Sequence, residues 1–264
     1  MRHPKDFFEQ WESIRKRIFS ARRSFLFLDF DGTLAPIRRR PEQVWLAKNL
    51  RLLLRSISRS GATVAIISGR GLRDVRRRAA IQGIWYAGAH GYFLQSPRGK
   101  KFSLLTVAQR AQIKSVLLSF RTELRGIPGI QVEPKEATVA VHYRRASPAR
   151  QKQALQILQR IASRHVDFKV MHGKKVWEIL PSARIDKWTA VSAILAKEEW
   201  QRSRDLLFYF GDDTTDEAVF RRMDGISVAV GKRQGTAARY FARSPADVKN
   251  FLKRWKELTG RLSP

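Results

Sequence analysis

The chain has 264 residues, 52 Lys and Arg against 23 Asp and Glu, a formal net charge of +29 and no cysteine. That length allows one large domain, or a core with a smaller domain inserted in it, and the missing cysteines exclude disulfides and thiolate metal sites. No apolar run reaches the roughly 18 residues of a membrane span, and "MRHPKDFFEQWESIRKRIFSARR" lacks the apolar centre of a signal peptide, so a cytoplasmic protein with no membrane partner is expected.

The basic residues are scattered as Arg38–Arg40, Arg76–Arg78, Arg144–Arg145 and Arg221–Arg222, with no basic tail. Such scatter predicts a solvated basic surface rather than a nucleic-acid partner. In chain order, β-branched and apolar runs predict strands at Phe25–Leu28, Thr63–Ile67, Ile84–Ala87, Thr138–His142, Phe168–Met171, Val176–Leu180, Leu206–Phe210 and Ile226–Val230. Between them lie helical patterns. "EQVWLAKNLRLLLRSIS", residues 42–58, spaces its apolar residues as a helix does, and "SPARQKQALQILQRIASR" opens on Ser147–Pro148, a good N-cap and first-turn pair. Alternating strands and helices predict an α/β fold with a mostly parallel sheet. Turn-rich stretches in the middle mark residues 94–181 as an inserted α+β unit, leaving a core built from 1–93 and 182–264.

The first strand ends in "FLFLDFDGTLAPI". Residues i and i+2 of an extended segment point the same way, so Asp29 and Asp31 can face one site while Phe30 turns into the core. Ligands of open α/β sheets bind beyond the carboxyl ends of the strands. Gly32 permits a close turn there, and Thr33 offers a hydroxyl and an N–H to an anion. Two carboxylates so close repel unless a cation neutralises them, and hard oxygen ligands suit magnesium. "LLFYFGDDTTDEAVF" repeats the layout with Gly211, Asp212, Asp213, Asp216 and Glu217. The alternative, that Asp29 and Asp212 are plain helix N-caps, explains one such cluster more easily than two. "VAIISGR" ends a further strand in Ser68, Gly69 and Arg70, where a phosphate could meet a hydroxyl and N–H groups. Lys187 opens a predicted helix.

Taken together, the DxDGT stretch, the strand-ending Ser, the Lys and GDDxxDE resemble the four motifs of the haloacid dehalogenase superfamily. "LDFDGTLAPI", "ISGR", "GAHG", "VEPKEATVAVHYR", "GKKVWEILP" and "GDDTTDEAVF" are similar to trehalose-6-phosphate phosphatases, over about Ser24 to Gly231. The resemblance implies a Rossmann-like core with an α/β cap inserted between the second and third motifs. It also implies Asp29 as nucleophile and Asp31 as general acid and then base. Mg2+ would be held by the Asp29 side chain, the Asp31 carbonyl and Asp212, with Asp213 and Asp216 supporting. Ser68 and Lys187 would hold the phosphoryl group, beside Gly32, Thr33 and Gly69. Arg70, His90, Lys135, Arg144 and Glu178 would contact substrate, with Glu133 and His142 in the same segment. The implied reaction is magnesium-dependent hydrolysis of trehalose 6-phosphate by a protein expected to be a monomer. Three positions depart from the pattern: Phe93 replaces an acidic residue, Trp188 replaces a glycine, and Asp186 precedes the lysine. Other readings keep the scaffold: a phosphatase for sucrose phosphate or mannosyl-3-phosphoglycerate, a sugar phosphomutase, or a basic module that binds anions or nucleic acid without catalysis.

Overall fold

The computed structural model describes residues 3–135, 138–164, 168–173, 175–181, 185–231 and 235–260. It divides into two compact units, residues 1–104 with 185–264, and residues 105–184.

The first unit begins with β1 (Lys5–Asp6), α1 (Trp11–Ser20), β2 (Arg23–Asp29), α2 (Lys48–Arg59), β3 (Thr63–Ile67), α3 (Leu72–Ala79), β4 (Trp85–Gly88), β5 (Phe93–Gln95) and β6 (Lys101–Ser103). The second unit holds α4 (Val107–Glu123), β7 (Gln131–Pro134), β8 (Val139–His142), α5 (Pro148–Ser163), β9 (Phe168–Gly173) and β10 (Val176–Pro181). The chain then returns to the first unit with α6 (Lys187–Lys197), β11 (Asp205–Gly211), α7 (Glu217–Phe220), β12 (Ile226–Val230), β13 (Tyr240–Ala242) and α8 (Pro245–Gly260).

The large sheet runs β1-β13-β12-β11-β2-β3-β4-β5-β6 and is parallel except at β4–β5 and β5–β6. Its central strands are apolar on both faces, as strands sandwiched between two helix layers must be. Leu26, Leu28, Phe208 and Phe210 pack toward α1, α2, α3 and α8; Phe25, Phe27, Leu207 and Tyr209 pack toward α6 and α7. β2 and β11 pair in parallel with Leu28 opposite Phe210, so the segments that start at Asp29 and Gly211 leave the sheet side by side. β3 flanks β2 on its other edge with Ile67 opposite Asp29, which brings Ser68 to the same end. Three chemistry-bearing loops therefore share one crevice at the carboxyl edge of the sheet.

The second unit is a four-stranded antiparallel sheet, β7-β8-β10-β9. Val139, Val141, Trp177 and Ile179 are buried, and the intervening Ala140, His142 and Glu178 point to the opposite face with Glu133, which pairs with Ala140.

All eight expected strands form, two with the expected bounds and six with an end shifted by one or two residues. The helix read over residues 42–58 begins only at Lys48. Val44 and Leu46 are buried as alternate residues of an extended loop, and the Leu46 N–H donates to the Arg78 carbonyl at 3.2 Å. Their spacing satisfied a helical period while serving a different backbone. The expected start of the insertion at Leu94 also differs from the structure. β5 and β6 continue the large sheet, because Leu94 sits in its apolar core and pairs with Ala87, and the second unit starts at Leu105.

Candidate active site

Lys187 is the first residue of α6. Asp186 caps that helix, its Oδ1 accepting the Thr189 N–H at 2.9 Å, and so fixes where Lys187 leaves the helix. The Lys187 ammonium donates to Asp29 Oδ1 and to Asp216 Oδ1, both at 2.7 Å. Asp216 is fully buried and also accepts the Tyr209 hydroxyl at 2.6 Å and the Asp213 N–H at 2.8 Å. Asp212 completes the group: Asp29, Asp212 and Asp216 each place one carboxylate oxygen within 4.8 Å of the others.

Charge counting shows what this cluster requires. Three carboxylates share one ammonium, so negative charge is left over in a place largely cut off from water. Burial, then repulsion from Asp216 and Asp212, pushes the Asp29 carboxyl well above the ordinary range despite Lys187. Burial and the Asp216 charge push Asp212 up to about 6. Burial alone would lower Lys187, but Asp29 and Asp216 outweigh it and raise it. Burial raises Tyr209, and the neighbouring carboxylates add to that, so it remains a neutral donor. A cluster with surplus negative charge and three convergent oxygens fits a hard divalent cation. Asp29, Asp212 and Asp216 are the side chains that would hold it.

Two glycines make the approach possible. A Cβ on Gly32 would lie 1.9 Å from Asp212 Oδ2, and Gly32 has φ of +79°. A Cβ on Gly211 would lie 2.2 Å from Asp216 Cγ. Gly32→Ala therefore combines a left-handed backbone penalty with a direct clash on a cluster carboxylate. We expect it to cost about 2–4 kcal/mol of stability and most of the activity. Urea unfolding beside a phosphate-release assay checks this, and a variant with wild-type values for both would contradict the packing.

The cluster opens into a cavity of about 620 Å³ lined by Asp29, Asp31, Arg38, Pro41, Gly69, Arg70, His90, Lys187, Asp212, Asp213 and Thr215, among others. Asp31 lies there with its carboxylate gripped by Arg70, Nε to Oδ2 and Nη2 to Oδ1, both 2.6 Å. The Ser68 hydroxyl is buried and accepts the Arg70 N–H at 3.1 Å, which leaves its own proton to donate. Gly69 passes so close to the His90 ring that a Cβ would sit 2.6 Å from Cε1, and His90 itself holds φ of 56°. Such a backbone in a non-glycine residue persists only where its surroundings enforce it. Thr33 is fully buried, and its hydroxyl has no hydrogen-bond partner among the described residues. The Asp213 carboxylate caps its own turn, accepting the Thr214 hydroxyl at 2.9 Å.

In the second unit, Lys135 Nζ and the Thr138 hydroxyl donate to Glu178 Oε1 at 3.2 and 2.7 Å. His142 Nε2 lies 2.7 Å from Glu133 Oε2, on the same face of the sheet as Glu178. Glu133, His142 and Arg144 line a separate cavity of about 640 Å³ on this unit. Trp188 packs beside the apolar cluster of Val191 and Ile194, and Phe93 beside the one around Leu72, so both fill space in the first unit. Sequence reasoning missed Tyr209, whose "LLFYF" setting reads as core; the only clue was that a buried tyrosine needs a partner for its hydroxyl. Asp216, expected as support for the metal site, places one oxygen within 4.8 Å of those of Asp29 and Asp212.

The sequence profile of the family described as trehalose-phosphatase matches residues 27–248. The chain belongs to the trehalose-phosphatase family. It is 34% identical over 242 residues to a Mycobacterium tuberculosis protein named trehalose-phosphate phosphatase, covering 89% of this chain and 61% of that protein. The chain thus spans about three fifths of the length of the mycobacterial relatives it matches. It is 30% identical over 252 residues to trehalose-phosphate phosphatase B of Arabidopsis thaliana, covering 89% of this chain and 67% of that one. Among solved structures it is similar to the C-terminal domain of trehalose-6-phosphate phosphatase from C. albicans, with a TM-score of 0.66, 23% identity and 98% coverage of each chain. The fold of this family member is the α/β, mostly parallel arrangement of haloacid dehalogenase-like hydrolases. No helix among the described residues is long and apolar enough to cross a membrane.

Proposed function

We propose that the chain is a magnesium-dependent phosphatase that hydrolyses trehalose 6-phosphate to trehalose and phosphate. The observation that carries this reading is the buried Asp29–Lys187–Asp216 group at the carboxyl edge of a family-typical sheet, with Asp212 beside it. A carboxylate attacks a phosphate dianion poorly, because both are negative. Lys187, 2.7 Å from Asp29, supplies positive charge where an oxygen of Asp29 approaches phosphorus. Magnesium bound by Asp29, Asp212 and Asp216 would neutralise further charge on the phosphoryl oxygens.

The reaction then has two halves. A carboxylate oxygen of Asp29 bonds to phosphorus, and the bond from phosphorus to the sugar oxygen breaks. Asp31 acts as the general acid towards that leaving oxygen, and trehalose is released with the proton. Asp31 next takes a proton from water, whose oxygen attacks phosphorus, and phosphate departs with Asp29 restored. The Ser68 hydroxyl and the neighbouring N–H groups hold the phosphoryl oxygens. On the second unit, the polar face bearing Glu133, Lys135, His142, Arg144 and Glu178 offers the mixed donors and acceptors that sugar hydroxyls need, and we assign it substrate choice.

Phosphate release should be measured from trehalose 6-phosphate, sucrose 6-phosphate, glucose 6-phosphate and mannosyl-3-phosphoglycerate, with magnesium and with chelator. We expect trehalose 6-phosphate to lead by at least about tenfold in kcat/KM, with activity lost in chelator. Preference for another of the four would move the substrate and keep the chemistry. No release from any would overturn the reading.

A metal prediction follows from Asp212. Its carboxyl is raised in the folded state, so its contribution to stability is present below about pH 4 and is lost as pH rises through about 6. Above that pH the ionised oxygen is ready for a cation; below it a proton competes. Magnesium should therefore raise Tm more at about pH 7.5 than at about pH 5. An equal shift at both would remove Asp212 from the cation site.

A further inference from the structure

We propose that Asp74 is a positioning residue for this reaction, acting through Arg70 to fix the Asp31 carboxylate. The inference rests on the phosphatase reading above. Arg70 is a long, flexible side chain, yet it is only 12% exposed and every edge of its guanidinium is used. Nε and Nη2 hold Asp31, Nη2 also donates to the Pro41 carbonyl at 2.9 Å, and Nη1 donates to Asp74 Oδ2 at 3.1 Å. Asp31 cannot aim the fork by itself, since it hangs from a loop and is about one-third exposed.

Asp74 can, because it stands in the first turn of α3 and is itself held. Arg78, one helical turn on, donates Nε to both Asp74 oxygens at 2.8 Å. Arg78 is buried and donates to the carbonyls of Glu42 and Val44 at 2.8 and 2.9 Å, tying down the segment that carries Pro41. A chain of charge-assisted bonds thus runs from a helix to the Asp31 carboxylate, held in the ionised form that takes a proton from the attacking water. Asp74 is not among the residues that line the cavity, so its effect is assigned through Arg70. The arrangement is that of an orienting acid behind a working group, and small errors in such placement cost rate steeply.

The experiment is a double-mutant cycle with Asp74→Asn and Arg70→Lys, assayed on trehalose 6-phosphate and p-nitrophenyl phosphate with magnesium. Asp74→Asn should lower kcat by about 10- to 100-fold while KM moves by less than about threefold. In the Arg70→Lys background, where no fork exists, the same change should cost less than about twofold. Equal losses in both backgrounds would mean that Asp74 serves only the fold and would overturn the proposal. A crystal structure of Asp74→Asn decides the matter independently of turnover. The Arg70–Asp31 fork should open; an unchanged bidentate pair would sink the proposal. A wild type inert on both substrates would instead refute the phosphatase reading, with the crystal structure still testing Asp74.

Discussion

Asp29→Asn is expected to yield a folded protein that releases no measurable phosphate, a loss of at least about 10⁴-fold in kcat. A carboxamide is close to the shape of a carboxylate but is not a useful nucleophile. Its oxygen can still accept the Lys187 ammonium, so the hydrogen bond at 2.7 Å has a replacement. Stability should hold or rise at neutral pH, because the change removes one of three crowded negative charges. Phosphate release and a thermal melt on the same sample test both halves. Near-normal turnover would remove Asp29 as nucleophile. Lost turnover with a collapsed melt would show that its charge is structural.

Lys187→Met should be inactive too, but for a different reason and with a different stability signature. Methionine fills the space and takes away the one positive charge between Asp29 and Asp216. Removing one partner of a buried ion pair costs about 3–5 kcal/mol. The raised Lys187 keeps its charge at every pH below the ordinary lysine range, so in the wild type its contribution is present throughout acid and neutral conditions. In the variant the stranded carboxylates can recover only by taking protons. The loss should therefore be near 3–5 kcal/mol at about pH 7.5 in chelator and shrink toward about 1 kcal/mol at about pH 5. Urea unfolding at the two pH values measures it. A loss independent of pH would mean that Lys187 stabilises by packing rather than by charge.

Much of this was legible in the chain. Apolar strands ending in Asp29 and in Gly211–Asp212 said that carboxylates gather at one edge, and the β2–β11 register puts them there. What escaped had physical causes. Tyr209 looked like core because its ring is core; only its hydroxyl serves the site. The extended loop through Val44 and Leu46 imitates a helix because burial on alternate residues and on every third or fourth can coincide over a short stretch. Asp74 sat in an arginine-rich helix, where a lone acid reads as surface charge balance, and its meaning came only from what Arg70 reaches. Leu94 went to the wrong unit because a short edge hairpin carries the same turn residues as an insertion boundary.

The insertion also bears on how the carboxylate cluster comes together. Asp29 and Lys187 are 158 residues apart in sequence, and unit two lies wholly between them. A nascent chain that has made β2, β3 and Ser68 has only half of the cluster; Lys187, Asp212 and Asp216 emerge after the insertion is complete. Contacts of such long range are slow to form, since loop closure must be met before they can contribute. An insertion that collapses first acts as a short bridge between its ends and roughly halves the loop, easing closure by about 0.6 kcal/mol. Assembly of the cluster is on this account a late step of folding, and the compactness of the inserted unit shortens the loop that separates the two sequence halves of the first unit.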